Sequence, residues 1–161
     1  TLKLMKTAGC NLLSVGIESG SQLILNKMGK RLTLQQIEDA VKMIHCAGIQ
    51  IYAYYVLGLP WETKETIEET YKFATKLNTE YASFFTATAL IGTKFYDYAK
   101  PYIFPSVKSY ELSEQEIFEY NRKFNKSYYL RPKYIFKMAL TVNSLTKFRS
   151  YYDAFLRLTK N

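Results

Sequence analysis

A chain of 161 residues with 48% hydrophobic and 16% aromatic residues is long and apolar enough to bury one core, which excludes an intrinsically disordered protein. The net charge is +8, and residues 101–161 carry most of it, with 11 Lys and Arg against 5 Asp and Glu. A solvated basic surface explains this excess, and so does an anionic membrane, a nucleic acid or an acidic partner. No signal-peptide pattern opens the chain, and the longest apolar run, 51–59, is far shorter than the roughly 20 residues of a membrane-spanning helix.

Helical and strand patterns alternate along the first hundred residues. Thr33 and Gln36 form a capping box that begins the longest early helix, and Gly48 ends it. The strand pattern at 49–57 is nearly all apolar, so we expect this strand to be buried on both faces. Strands joined by helical crossovers pair in parallel. The predicted fold is therefore α/β, a partial (β/α) barrel with three parallel strands and flanking helices. In chain order the patterns predict helix 2–7, strand 12–17, helix 21–28, helix 33–46, strand 49–57, helix 64–77 and strand 81–89.

The pattern changes after Gly92. A helical turn at 95–99 precedes an irregular stretch with two prolines, and Ser113 with Glu116 then forms a capping box that opens a helix to about residue 126. Pro132 begins a final helical stretch, and we expect its apolar stripe to pack against the barrel or a neighbouring domain. We therefore predict a partial barrel at 1–99, a linker at 100–112 and an all-helical C-terminal extension at 113–161. The stripe consists of Ile135, Met138, Val142, Leu145, Phe148, Tyr152 and Phe155.

Two motifs follow predicted strands directly. One runs from Gly16 to Ser21 and the other from Val56 to Thr63. Because the carboxyl ends of parallel strands open on one face, both motifs are expected at the edge where α/β folds place ligand sites. Glu18 ends the first strand, and its carboxylate is suited to a ribose diol or an ammonium group. Ser19 begins a turn into a helix N-terminus, which suits an anion or a hydroxyl group.

These motifs, with Ala8-Gly9-Cys10 before them and Lys30-Arg31-Leu32-Thr33 between them, resemble the second half of the catalytic core of the radical S-adenosylmethionine (SAM) enzymes. The resemblance covers residues 1 to about 95 and lies in the order and spacing of the motifs. It implies that Glu18 binds SAM and that Lys30 or Arg31, which it leaves undecided, meets the SAM carboxylate. It further implies that Val56 and Gly58 lie against adenine, whereas Pro60 and Glu62 shape the loop.

The cluster motif of that family, C-x3-C-x2-C, is absent from this chain. The chain has two cysteines, Cys10 and Cys46, which are far apart in sequence. Two separated thiols cannot provide the three thiolates of a 4Fe-4S cluster, so the ligands of the cluster are expected outside this chain. We expect both thiols to be buried and reduced, which favours the cytoplasm. The single histidine, His45, excludes a multi-His metal site.

Tyr128-Tyr-Leu-Arg-Pro-Lys-Tyr-Ile135 resembles the C-terminal extension of the cobalamin-binding radical SAM proteins. This resemblance implies a cobalamin domain outside the chain and methyl transfer or cyclisation of a small-molecule substrate. The sequence thus predicts the C-terminal part of an enzyme that uses SAM and a 4Fe-4S cluster to generate a 5′-deoxyadenosyl radical, and the isolated chain is expected to be inactive.

Two alternatives stay open. One is a cluster-free subunit that completes a barrel with a complementing chain. The other is a basic module that binds a membrane surface through its C-terminal helices, or a nucleic acid. Nucleic acid is the less favoured ligand, because most of the 15 Tyr and 10 Phe residues fall at core positions of predicted strands and helices.

Overall fold

The computed structural model describes residues 1–99, 109, 111–145, 148–149, 151–153 and 156. Every strand and helix predicted before residue 100 is present, and the third strand ends three residues earlier than predicted. The predicted linker lies mostly outside the described residues, so the three-part division of the chain stays a prediction. The elements are α1 Leu2–Thr7, β1 Leu12–Glu18, α2 Gln22–Lys27, α3 Leu34–Cys46, β2 Gln50–Leu57, α4 Lys64–Leu77, β3 Tyr81–Thr86, α5 Lys94–Ala99, α6 Glu114–Tyr129 and α7 Pro132–Ala139.

The three strands form one parallel sheet in the order β1-β2-β3. Alternate residues of β2 are buried, from Ile51 to Leu57, while Tyr52, Tyr54 and Val56 between them are only partly buried. The expectation that β2 is buried on both faces is therefore wrong. The physical reason is that the core of the described chain lies on one face only, where side chains of α3, α4 and α6 pack against the sheet.

The outer edge of β3 is closed by side chains of α6 rather than by a fourth strand. The Asn125 side chain accepts a hydrogen bond from the Phe84 N–H at 3.0 Å and donates one to the Phe84 carbonyl at 2.8 Å. The Tyr129 hydroxyl likewise accepts from the Ala82 N–H at 3.0 Å and donates to the Ala82 carbonyl at 2.7 Å. Each side chain therefore pairs with both backbone groups of one residue, as a neighbouring strand would.

The opposite edge, formed by β1, has no strand beside it among the described residues. The Gln50 N–H binds the Asn11 carbonyl, so alternation along the strand turns the backbone groups of Leu12, Ser14 and Gly16 away from β2. Lys30 donates to the Gly16 carbonyl at 2.7 Å, and Cys10 lies 3.6 Å from the Leu12 carbonyl. The sheet thus has one edge closed by a helix and one edge that only isolated side chains reach.

A polar cluster fixes α7 to the end of the sheet at which the strands begin. Glu80 lies directly before β3 and accepts hydrogen bonds from the Ile51 N–H at 3.0 Å and from Lys137 at 2.7 Å. His45 Nε2 lies 3.1 Å from the same carboxylate. Burial raises the pKa of the Glu80 carboxyl, but the hydrogen bonds from His45, Lys137 and Ile51 outweigh this effect and lower the pKa to about 2.

Arg131 adds a second attachment just before α7. Its guanidinium donates to the Thr75 carbonyl at 3.0 Å and to the Asn78 side chain at 3.2 Å, and it lies 4.1 Å from the centre of the Tyr128 ring. Asn78 ends α4 in the left-handed conformation, with a φ of 48°. Arg131 therefore joins the C-terminal helices to the end of α4.

The apolar stripe predicted for the C-terminal stretch does not run along one helix. α7 ends at Ala139, and residues 140–144 form a turn, two residues of irregular backbone and a bend. Within α7 the buried residues are Tyr134 and Met138, whereas Ile135 is 45% exposed. Ile135 therefore does not pack against the sheet of this chain, because the Tyr134 hydroxyl is directed to the Glu80 carbonyl and sets the rotation of the helix. Packing of the stripe against a neighbouring domain stays a prediction. Phe155 lies outside the described residues.

None of the helices in the described residues combines the length and the apolar character that crossing a bilayer requires.

Because α6 closes the β3 edge and the β1 edge is open, we expect substitutions at the two edges to have opposite effects on self-association. Asn125→Ala leaves the Phe84 N–H unpaired, while Asn121 still donates to the Phe84 carbonyl, so we expect a loss of about 1–3 kcal/mol of stability and stronger association between chains. Ser14→Pro removes an N–H on the open β1 edge without breaking the ladder to β2, so association should weaken. Light scattering across a concentration series measures both effects. Arg122→Ala, an exposed change on α6, is the control, and an Asn125→Ala chain that associates no more than the control contradicts the edge-closing role.

Glu80→Gln tests the polar cluster. The pKa of Glu80 is lower in the folded chain than the ordinary value, so its stabilising contribution is complete above the ordinary pKa and is lost as pH falls toward 2. We expect the variant to lose about 1–3 kcal/mol at neutral pH and the difference from the unmodified chain to shrink in acid. Urea unfolding at several pH values measures this difference. The exposed change Glu119→Gln should leave the curve unaltered, and a pH-independent difference for Glu80→Gln would speak against the cluster.

Candidate functional site

Glu18 occupies an unusual backbone position at the end of β1. The strand register shifts between Gly16 and Glu18, and Glu18 has a φ of 71°, in the left-handed region that residues other than glycine rarely adopt. This conformation brings the carboxylate back beside Gly16, where a Cβ on residue 16 would collide with Glu18 Oε1. Gly16 therefore provides the space that the carboxylate occupies. Backbone strain of this kind persists only where the surrounding structure supports it, and it is concentrated at functional sites.

Lys30 is the ion-pair partner of Glu18. Its Nζ lies 3.1 Å from Glu18 Oε1 and 2.7 Å from the Gly16 carbonyl oxygen. About a quarter of each side chain is exposed, 26% for Lys30 and 24% for Glu18, so a ligand can reach both charges. The structure thus brings together two residues that the sequence indicated separately. Arg31, the other basic candidate, is exposed and has a φ of 51°.

Ser19 holds the turn after β1 against α4. Its hydroxyl lies 3.0 Å from the Thr70 hydroxyl and accepts a hydrogen bond from the Ser21 N–H at 3.1 Å. The Gly20 N–H donates to the same Thr70 hydroxyl at 3.0 Å. A Cβ on Gly20 would lie 2.7 Å from Thr70 Cα, so only glycine allows this approach. Ser19 is fully buried. In this structure its hydroxyl positions the turn, and its predicted part in cofactor binding stays a prediction.

Glu62 shapes the loop that follows β2, as the resemblance implied. One carboxylate oxygen accepts hydrogen bonds from the Gly58 N–H at 2.5 Å and the Leu59 N–H at 2.9 Å. The side chain is fully buried, and Oε1 has no hydrogen-bond partner among the described residues. Burial raises the pKa of Glu62 to about 7, against the lowering effect of the two N–H donors. Gly58 has a φ of 89°, which glycine adopts without strain.

Val56 lies on the uncovered face of the sheet. It pairs in register with Phe85 of β3, which is 50% exposed. Tyr54, two residues earlier on the same face, has its ring centre 5.8 Å from that of Phe85 and 4.7 Å from that of Tyr52. Val56 therefore lies on the same face of the sheet as a row of aromatic rings. We did not predict this row; its sequence signal is the two-residue spacing of Tyr52 and Tyr54, which places both rings on one face of β2.

The cysteines lie at the opposite end of the sheet from Glu18 and Gly58. Cys10 precedes β1, and Cys46 ends α3, the helix that leads into the start of β2. Neither cysteine forms a disulfide, but Cys10 is only partly buried and Cys46 is exposed, so the expectation that both thiols are buried is wrong. Cys46 is the last residue of α3 and lies outside the stripe that this helix buries. Within the part of the chain that the structure describes, no three His, Cys, Asp or Glu side chains are grouped as metal ligands.

Comparison with known proteins indicates the family to which the chain is similar. A family model described as the radical SAM superfamily matches residues 1–74. An uncharacterized methyltransferase of Pyrococcus horikoshii is 38% identical over 148 residues, which are 84% of this chain and 32% of that protein. The anaerobic magnesium-protoporphyrin IX monomethyl ester cyclase of Cereibacter sphaeroides is 28% identical over 152 residues, which are 94% of this chain and 23% of that enzyme. The chain therefore spans a third or less of the length of these relatives.

A solved structure resembles the fold. Coproporphyrinogen III oxidase of Escherichia coli, a radical SAM enzyme, matches 79% of this chain and 29% of its own chain with a TM-score of 0.62. The two sequences are 17% identical, so the likeness concerns the fold alone. It confirms the predicted class, three parallel strands with flanking helices followed by a helical extension.

Because Glu62 is buried, we expect the free energy of unfolding of the chain to depend on pH. Its folded pKa, about 7, lies above the ordinary value, so between about pH 4.5 and 7 the folded chain binds more protons than the unfolded chain and stability falls as pH rises. The full effect is on the order of 3 kcal/mol. Glu62→Gln keeps an acceptor for the two N–H groups and should flatten this dependence in urea unfolding. Glu69→Gln, an exposed change on α4, is the control, and equal slopes for Glu62→Gln and the unmodified chain would refute the assignment.

Proposed function

The chain belongs to the radical SAM superfamily, and we propose that it forms the SAM-binding second half of the core of a radical SAM enzyme. The observation that carries this proposal is the Glu18–Lys30 pair at the end of β1. It lies at the end of the sheet where the strands finish, and the Gly58 loop follows β2 at the same end. Both charges are partly exposed and held by backbone geometry. A carboxylate and an ammonium group side by side complement the hydroxyl, ammonium and carboxylate groups of an aminoacyl nucleoside.

Each proposed contact follows from the chemistry of the side chain. Glu18 would accept hydrogen bonds from the ribose hydroxyls or the amino group of SAM. Lys30, or Arg31 beside it, would bind the SAM carboxylate, and Lys30 would exchange part of its contact with Glu18 for that with the ligand. Val56 and Gly58 would lie against adenine, because the glycine lets the backbone approach a flat ring. Ser19 would keep the Glu18 turn in place through Thr70.

The residues present do not fit the 4Fe-4S cluster of the superfamily. Cys10 and Cys46 are two thiols at the far end of the sheet, whereas three thiolates near the SAM site are needed. When bound, such a cluster supplies the electron for reductive cleavage of SAM to methionine and a 5′-deoxyadenosyl radical. Its ligands would come from polypeptide outside this chain, and the chain alone would not catalyse the reaction.

The β1 edge is the candidate surface for a partner. α6 closes the β3 edge, so further barrel strands have room to pair only beside β1. We infer that the first half of the core, as a preceding segment or a complementing chain, pairs there. The unpaired thiols of Cys10 and Cys46 fit a reducing compartment, the cytoplasm.

The relatives suggest the type of reaction. One is named a methyltransferase and another a cyclase acting on a magnesium porphyrin ester. We therefore propose methyl transfer or cyclisation of a small molecule, with cobalamin as a further cofactor held outside this chain. A cluster-free complementing subunit is the second candidate, because the β1 edge is suited to pairing whether or not a cluster is present.

Glu18→Gln in the cluster-loaded enzyme that contains this chain tests the SAM site. The change keeps the shape of the side chain but removes the charge, so we expect SAM affinity to fall roughly tenfold or more. Titration calorimetry measures the affinity. Ile44→Ala on α3 is the control, since the cavity should cost about 2–5 kcal/mol of stability and leave the affinity of the folded protein unchanged. If Glu18→Gln binds SAM as tightly as the parent, the site is misplaced.

A further inference from the structure

The outer side of α7 presents apolar side chains to solvent. Tyr134 and Met138, one turn apart, are each only 7% exposed, while Phe136 and Leu140 are 67% and 74% exposed. At about 100° per residue, Phe136 lies nearly opposite the buried pair on the helix surface. Ile135, 45% exposed, flanks it on one side. Isolated exposed apolar residues are common, but Ile135 and Phe136 on α7 and Leu140 directly after it form a group that calls for a partner.

This orientation of α7 is fixed by polar contacts on its inner side. The Tyr134 hydroxyl donates to the Glu80 carbonyl at 2.8 Å. Lys137 donates to the Asn78 carbonyl at 2.7 Å and pairs with the Glu80 carboxylate at the same distance. Rotating the helix to bury Phe136 would break all of these bonds. The exposed apolar side is therefore a consequence of specific docking and not of a loosely packed helix.

The segment after α7 continues the same character. Its exposed large apolar side chains are Leu145 at 73%, Phe148 at 54% and Tyr152 at 53%. The rings of Phe148 and Tyr152 stack with their centres 6.3 Å apart. Large apolar side chains are thus exposed both on α7 and among the described residues that follow it.

The charge of this part of the chain is strongly one-sided. From residue 120 to the end, the sequence has ten Lys and Arg residues and a single acidic residue, Asp153. Lys133 and Arg149, which are close to these apolar residues in the sequence, are exposed. Basic groups attract anionic lipid headgroups by about 1 kcal/mol each near the surface, and adjacent apolar groups insert among the acyl chains. A nucleic acid would use the charges but leave the aliphatic side chains in water.

We propose that the outer side of α7 and the segment after it, Ile135, Phe136, Leu140, Leu145, Phe148 and Tyr152 with their flanking basic residues, bind the surface of an anionic membrane. α7 is attached at Glu80, where β3 begins, and Glu18 and Gly58 lie where their strands end. A docked chain would therefore keep the proposed SAM site directed away from the lipid. This inference is independent of the proposed function.

Vesicle co-sedimentation of the 161-residue chain tests the proposal. Vesicles of phosphatidylcholine with about one third phosphatidylglycerol should bind the chain, and pure phosphatidylcholine vesicles should bind it at least tenfold more weakly. Phe136→Ser combined with Leu140→Ser should weaken binding to the anionic vesicles about tenfold or more. Both side chains are exposed, so the far-ultraviolet circular dichroism of the variant should match that of the unmodified chain.

Two matched controls make the result specific. Phe118→Ser changes a side chain that is 50% exposed but lies on α6 beside two acidic residues, Glu114 and Glu119, and one basic residue, Arg122, and it should not alter binding. Lys133→Glu should weaken anionic binding severalfold, and Lys42→Glu on α3 should not. The proposal is overturned if neither vesicle type binds or if both bind equally. It is also overturned if Phe118→Ser weakens binding as much as the Phe136→Ser, Leu140→Ser double variant does. A third contrary outcome is a chain that does not bind lipid but forms a dimer that the double variant abolishes, as measured by sedimentation velocity.

Discussion

The outer edge of β3 is where a three-stranded parallel sheet would otherwise expose unpaired backbone groups, and the helical extension satisfies them. Asn125 and Tyr129 each bind the N–H and the carbonyl of one β3 residue, so a single face of α6 does the work of a strand. The same face buries Ile117, Phe124 and Tyr128 against the sheet. Packing and edge closure are thus coupled, and the sheet and α6 are expected to fold as one unit.

The two ends of the sheet have different physical characters. Where the strands begin, Glu80 binds His45, Lys137 and the Ile51 N–H. Arg131 there connects the helical extension to α4. The polar groups at this end therefore hold secondary-structure elements together. Where the strands end, Glu18 and Lys30 remain partly exposed and the backbone of Glu18 is strained. Stability is therefore concentrated at one end, and chemical groups accessible to a ligand lie at the other, as in β/α folds generally.

The site depends on contacts between residues distant in sequence. Gly16 leaves space for the Glu18 carboxylate, and Gly20 lets the turn approach α4 closely enough for Thr70 to bind it. A buried carboxylate, Glu62, holds the Gly58 loop from beneath. Substitution at any of these supporting residues would move the loops that carry Glu18 and Gly58.

The elements themselves were determined by the sequence, because capping boxes such as Thr33 with Gln36 and Ser113 with Glu116 are local, and so is the alternation that marks a strand. Motif spacing likewise pointed to Glu18, Lys30 and Gly58. Only the tertiary structure decided that Lys30 pairs with Glu18, that Glu18 adopts a positive φ and that β2 is covered on one face. It also decided that Asn125, an ordinary helical residue by pattern, replaces a strand. These features depend on which distant segments meet, and no local pattern records which face of a helix will reach which edge of the sheet.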